Sequence, residues 1–142
     1  MKDKICLITG ATDGIGKETA RCLGKQNAQL ILVGRNPVKG EKVRKKLIAI
    51  TGNNQIEILT ADLSNMKAIR YLAERIYSRY DRLNVLVNNA GAFFAQREET
   101  DEGLEKTFAL NHLNYFLLTK LLLDLIKKGK NPRIINVASG AH

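Results

Sequence analysis

The chain has 142 residues, with 23 basic and 14 acidic side chains for a formal charge of +9, two cysteines and no tryptophan. That length suits one domain with a buried core and is short for two. An apolar fraction of 44% with 26% charged residues excludes whole-chain disorder, two cysteines exclude a disulfide scaffold, and no apolar run reaches the 18 or so residues that read as a membrane span.

Met1-Lys2-Asp3-Lys4 leads directly into a strand-like run, Ile5-Cys6-Leu7-Ile8, without the apolar core and cleavage site of a signal peptide. The cytoplasm is the expected compartment, with Cys6 and Cys22 as buried reduced thiols. Helical spacing follows over 15–26, then a second apolar run, Leu30-Ile31-Leu32-Val33. Pro37 starts a charged helix with Val43, Leu47 and Ile50 along one face, and Ile56, Ile58 and Leu59 mark a third strand. Ser64 is placed to cap a helix over 65–79. Val85-Leu86-Val87 is a fourth strand. A polar stretch leads to a long helix over 101–128, stopped by Gly129 and Pro132, and a fifth strand covers 133–138. Strands alternating with helices predict an α/β fold of Rossmann type, a doubly wound parallel sheet whose apolar strands are buried on both faces.

Charge is uneven along this framework. Residues 1–80 hold 15 basic and 7 acidic side chains, whereas the remainder is nearly balanced. A basic half suits an anionic ligand, a phosphate or a nucleic acid, and equally suits a solvated Lys/Arg face. The chain has no recognisable nucleic-acid motif and only 6% aromatic residues, so nucleic acid is not an expected partner.

The first strand runs into Thr9-Gly10-Ala11-Thr12-Asp13-Gly14-Ile15-Gly16. Glycine here permits positive φ and close backbone approach, and the free N–H groups that open the helix favour a pyrophosphate. A glycine-rich connection without a ligand is the bland alternative, made less attractive by the placement between an N-terminal strand and a helix. The second strand ends in Gly34-Arg35-Asn36, where a carboxylate would select NAD. Arg35 can instead grip a 2′-phosphate with its planar fork, so NADP is the expected cofactor, with NAD second and an ordinary surface arginine as the rival reading. Lys39 and the cations that follow it are expected mostly on the wet side of a helix.

Together with Asp62-Leu63, Asn88-Asn89-Ala90-Gly91, Asn111 and Ser139, these residues resemble the short-chain dehydrogenase/reductase family. The segments 34–41, 111–119 and 133–142 look most like its retinol-dehydrogenase-like branch. The resemblance covers the whole chain and implies the strand order 3-2-1-4-5. It implies that Gly10, Thr12, Asp13, Gly14, Ile15 and Gly16 line the pyrophosphate and that Arg35 and Asn36 face the 2′-phosphate. Asp62 and Leu63 would meet the adenine, and Asn89, Ala90 and Gly91 would lie along the cofactor, with Asn88 bracing the sheet. Ser139 would hydrogen-bond the oxygen of an alcohol or carbonyl substrate, and Asn111, in a helix, would help hold a proton-relay water. No metal is implied. The structural alternatives are a plain turn at 88–91, a satisfied buried amide at Asn111 and a strand-end serine at Ser139. His112 reads as packing or surface, and the stripe Leu104, Phe108, Tyr115, Leu118, Leu122 and Leu125 as core or subunit interface, the latter leaving a homo-oligomer open.

Hydride exchange with an alcohol also needs a group that exchanges the hydroxyl proton. In the family this is a tyrosine with a lysine four residues later. Four places after Tyr71, Tyr77, Tyr80 and Tyr115 stand Arg75, Asp81, Asn84 and Thr119, so no Tyr-x-x-x-Lys occurs. The expectation is an N-terminal cofactor-binding part of a longer oxidoreductase, inactive alone, with a fifth strand left as an open edge. The alternatives are an NADP-binding module or regulatory dimer without chemistry.

Overall fold

The structure is a computed structural model, described here for residues 1–139. Gly140, Ala141 and His142, the end of the last segment that carries the resemblance, lie outside the described residues. The elements run β1 (Ile5–Thr9), α1 (Gly14–Lys25), β2 (Gln29–Gly34), α2 (Pro37–Thr51), β3 (Ile56–Thr60), α3 (Met66–Tyr77), β4 (Val85–Asn88), α4 (Lys106–Phe108), a π-helical stretch (Ala109–Leu113), α5 (Asn114–Lys127) and β5 (Arg133–Asn136). The five strands form one sheet in the order β3-β2-β1-β4-β5, all pairings parallel. The chain therefore builds outward from β1 in one direction, then returns to build in the other, and the reversal falls between β1 and β4.

Alternation along the central strands feeds two apolar layers. Leu7, Ile31, Val33 and Leu86 pack with Ile69, Leu72 and Ile76 of α3 and Leu118, Leu122 and Leu125 of α5. Cys6, Ile8, Leu30 and Leu32 pack on the opposite face with Ala20 of α1 and Leu47 of α2. The expected two-sided burial holds for β1, β2 and β4. It holds only in part at the margins, where a strand lacks a neighbour on one side: β3 is partly exposed, although its Ile56 and Leu59 reach opposite layers. β5 is exposed along its length, with Ile134 at 41% and Ile135 at 48% exposure.

Several local expectations are corrected. The helix cap before α3 is Asn65, whose Oδ1 accepts from Ala68 N–H at 2.8 Å. Ser64 is buried instead, and its hydroxyl donates to Asp62 Oδ1 at 2.7 Å. The expected helix at 101–128 begins only at Lys106, because Gly103 adopts φ +74° in a turn closed by Thr100 N–H donating to Leu104 O. Glu105 caps the start through Thr107 N–H and Phe108 N–H. The fifth strand is regular only to Asn136. In the expected apolar stripe, Leu118, Leu122 and Leu125 are core, whereas Phe108 is half exposed and stacks on His112.

Cys6 is buried, and that burial pushes its thiol up to about 11, whereas Cys22 is exposed on α1. Under native conditions a thiol-exchange reagent at neutral pH should therefore label one cysteine promptly, and mass mapping should place the label on Cys22; prompt labelling of Cys6 would contradict this packing. Leu118 is fully buried beneath α5 while Leu123, on the same helix, is 37% exposed. Leu118→Ala should cost about 2–5 kcal/mol and Leu123→Ala about 0.5 kcal/mol or less, measured by urea unfolding.

Candidate dinucleotide site

The reversal point of a parallel sheet leaves a crevice at the carboxyl ends of its two diverging strands. Here those ends are Thr9 and Asn88, and the glycine turn leaves the sheet at this place. Thr9 Oγ1 accepts from Asn89 N–H at 2.9 Å and Ala90 N–H at 3.0 Å, and donates to Val87 O at 3.3 Å. Asn89 returns the contact, since its Nδ2 donates to Thr9 O at 2.9 Å and Gly10 O at 3.2 Å. The two loops thus share a hydrogen-bonded seam that water does not reach at Thr9.

This closeness dictates glycine. Gly10 has φ +62°, and a Cβ there would stand 2.8 Å from Ala90 Cα. A Cβ on Gly16 would stand 2.4 Å from Gly10 O and 2.5 Å from Asn89 Nδ2. Gly14 differs. It has φ +46° with open space before it, the combination that lets another molecule approach the backbone. Asp13 caps α1, its Oδ1 accepting from Gly14 N–H at 2.9 Å. Ile15 is exposed beside it, while Ala11 is buried and ties back to Val33 O.

The end of β2 closes the other side. The methyl of Thr12 occupies the room left by Gly34, where a Cβ would come within 2.5 Å of it. Arg35 and Asn36 are exposed. Asn36 Oδ1 caps α2 through Lys39 N–H at 2.9 Å. Lys39 is exposed, as expected, and also crosses to Asp13 Oδ2 at 2.7 Å. That ammonium, with Gly14 N–H, holds the Asp13 carboxyl below the usual carboxylate range. Asp62 is exposed after β3, and its Oδ1 accepts from Ser64 N–H and Oγ. Leu63 turns its side chain into the core, so any contact it makes in the crevice is through backbone.

Beyond β4, Ala90 is buried and Gly91 exposed. Asn88 braces the sheet, its Nδ2 donating to Asn136 Oδ1 at 2.8 Å and Thr119 Oγ1 at 3.0 Å. Asn111 lies in the π-helical stretch and is exposed, not buried. Its amide engages Ala92 twice, Oδ1 accepting from Ala92 N–H at 3.0 Å and Nδ2 donating to Ala92 O at 2.9 Å. The side chain is thereby committed to the loop after Gly91. Ser139 is exposed, three residues past the carboxyl end of β5. Tyr115 donates to Val137 O at 3.3 Å, and burial pushes its phenol up, the wrong direction for proton exchange near neutral pH.

Gly10, Thr12, Asp13, Gly14, Ile15, Gly16, Asn89 and Ala90 thus converge on one crevice rim, with Arg35, Asn36, Asp62 and Leu63 along its β2–β3 side and Gly91, Asn111 and Ser139 along its β4–β5 side. Lys39 and the hydroxyl of Thr9 escaped the sequence reading. The first looks like any lysine of a charged helix, and the second has a signal only in hindsight, as a hydroxyl residue at the last position of the strand before the turn.

The model of the family described as short chain dehydrogenase matches residues 4–142. The chain belongs to this family. It is 42% identical over 139 residues to retinol dehydrogenase 12 of Mus musculus and to retinol dehydrogenase 11 of Homo sapiens, covering 98% of this chain and 44% of each of those proteins. It spans less than half the length of these relatives. Among solved structures, a metagenomic short-chain oxidoreductase in complex with NADP superposes with a TM-score of 0.84 at 30% identity, over 99% of this chain and 63% of that one. The Pseudomonas aeruginosa RhlG/NADP active-site complex gives 0.84 at 30% identity, over 98% and 56%. Sheet order and helix placement agree with the Rossmann-type arrangement expected from the sequence.

Thr9→Val keeps the shape of the side chain but leaves Asn89 N–H and Ala90 N–H without their acceptor. A loss of about 1–3 kcal/mol is expected for each amide left unpaired, whereas Thr9→Ser should retain most of the stability; chemical unfolding of the three proteins is the check.

Proposed function

We propose that this chain is the dinucleotide-binding part of an oxidoreductase that exchanges a hydride between NADP(H) and an alcohol or carbonyl substrate of the retinol-dehydrogenase kind. The observation that carries the reading is the turn at 10–16. It is fixed to Asn89 at the sheet's reversal point, with open space in front of Gly14 and α1 pointing its first N–H groups the same way.

The residues fit a dinucleotide. The N–H groups of Ile15 and Gly16 at the start of α1 suit a diphosphate, favoured further by the helix dipole, whereas Gly14 N–H is taken by Asp13. Thr12 holds that turn against the end of β2. Arg35, with no carboxylate at the neighbouring positions, suits a 2′-phosphate. Asp62 and the backbone of Leu63 suit the adenine edge, and Asn89, Ala90 and Gly91 flank the length of the cofactor. When bound, the nicotinamide supplies or accepts the hydride. Ser139 would donate a hydrogen bond to the substrate oxygen, and Asn111 would act on the site by positioning the Gly91–Ala92 segment. The NADP complexes among the structural neighbours support the cofactor choice, and the retinol dehydrogenases among the relatives support the substrate class.

Proton exchange needs a group that these 142 residues do not supply as Tyr-x-x-x-Lys. We therefore propose that the parent enzyme is longer and that the chain alone does not turn over. A second reading is an NADP-binding module without chemistry. Calorimetric titration with NADPH beside a carbonyl-reductase assay separates the cases. Binding without turnover is expected for the 142 residues, and a longer reading frame encoding Tyr-x-x-x-Lys roughly ten to fifteen codons after His142 favours the enzyme over the module. Turnover by the purified chain would refute the division of labour proposed here. Arg35→Ala should weaken NADPH about 10- to 100-fold and leave NADH within about twofold; equal effects on both would remove Arg35 from the 2′-phosphate.

A further inference from the structure

The glycine turn carries one charged side chain that works against the anion it is proposed to hold. Asp13 is three-quarters exposed, and its carboxylate meets Lys39 at 2.7 Å. Lys39 belongs to the first turn of α2, whose cap is Asn36, and Thr12, next to Asp13, is seated against Gly34. These contacts fix the pair between the turn after β1 and the first turn of α2, the helix that follows Arg35.

We propose that Asp13 is a specificity-determining residue that competes with a cofactor's 2′-phosphate for Lys39, so that the chain discriminates between NADPH and NADH less than Arg35 and Lys39 together would allow. The inference rests on the dinucleotide reading above. Its physical basis is charge and valence. A 2′-phosphate is close to dianionic at neutral pH. If Arg35 receives it, the phosphate approaches Lys39 while that ammonium is already paired with a carboxylate. Lys39 serves either anion at full strength, not both. An exposed pair of this kind is weak in itself, so the phosphate can win, but it does so against a resident competitor. NADH lacks the 2′-phosphate, brings no such rival and leaves the pair undisturbed.

The test uses the 142-residue chain, calorimetric titration with NADPH and with NADH, and three variants. Asp13→Asn removes the charge but keeps an accepting oxygen for Gly14 N–H, since asparagine is as good a helix cap; an unchanged thermal midpoint verifies that the turn survives. The expected result is NADPH binding tightened about three- to tenfold, with NADH within about twofold. Lys39→Met should weaken NADPH by a similar factor, and Asp13→Asn made in the Lys39→Met background should lose most of its gain. Equal tightening of both cofactors would show a general repulsion of the diphosphate and overturn the inference while leaving the dinucleotide reading intact. So would a full gain that persists without Lys39, or no gain. Failure of the unmodified chain to bind either cofactor would overturn the dinucleotide reading and this inference with it.

Discussion

The exchange of hydrogen bonds between Thr9 and Asn89 is the constraint on which the site is built. One hydroxyl takes two backbone amides from the segment after β4, and one amide side chain gives two hydrogen bonds to the segment after β1. Two loops about 80 residues apart in sequence are thereby pressed together. The pressing is close enough that Gly10 and Gly16 have no room for a side chain. The glycines of the turn are therefore not interchangeable. Two answer to intramolecular crowding, and Gly14, with open space before it, answers to its left-handed backbone at φ +46°.

The sheet supplies the rest of the geometry at little cost in special features. Parallel strands with apolar residues on both faces need helices above and below, and the return of the chain after β3 places the carboxyl ends of β1 and β4 side by side. Whatever sits in that crevice meets α1 end-on, the exposed turn after β2 on one flank and the segment held by Asn111 on the other. The basic surplus of the first 80 residues gathers only in part at this place. Arg35 and Lys39 stand there, while Arg21 and Arg44 are spent on Glu18 and Glu41 of their own helices.

The strands and the turn at the end of β1 were legible because each rests on a local pattern: short apolar runs, glycine at a strand-to-helix turn, a proline at the start of α2; the strand order came from the family resemblance. Most of the proposed site residues follow the carboxyl ends of these strands. What stayed hidden depends on partners far away in sequence or on close competition between neighbours. Lys39 reveals nothing of Asp13 until α1 and α2 lie side by side. Ser64 and Asn65 are both good caps, and Asp62 decides between them by drawing the serine hydroxyl to itself. The late start of the helical run before α5 follows from a left-handed glycine that periodicity does not register. Asn111 engages both polar groups of Ala92 through its side-chain amide, a pairing that only the folded chain reveals.

The π-helical stretch has a consequence for how α5 is read. It inserts one peptide unit beyond the usual helical repeat, and one residue is about 100° of rotation. Residues before and after it are thus out of phase, which accounts for a stripe that is half exposed at Phe108 and fully sunk at Leu118 and Leu122. The same offset lets a single helical run meet two obligations: Asn111 reaches outward to a loop while the leucines beyond it seal the sheet. A chain one residue shorter between Phe108 and Asn114 would keep every side chain in order and yet turn one of those two surfaces toward the wrong neighbour.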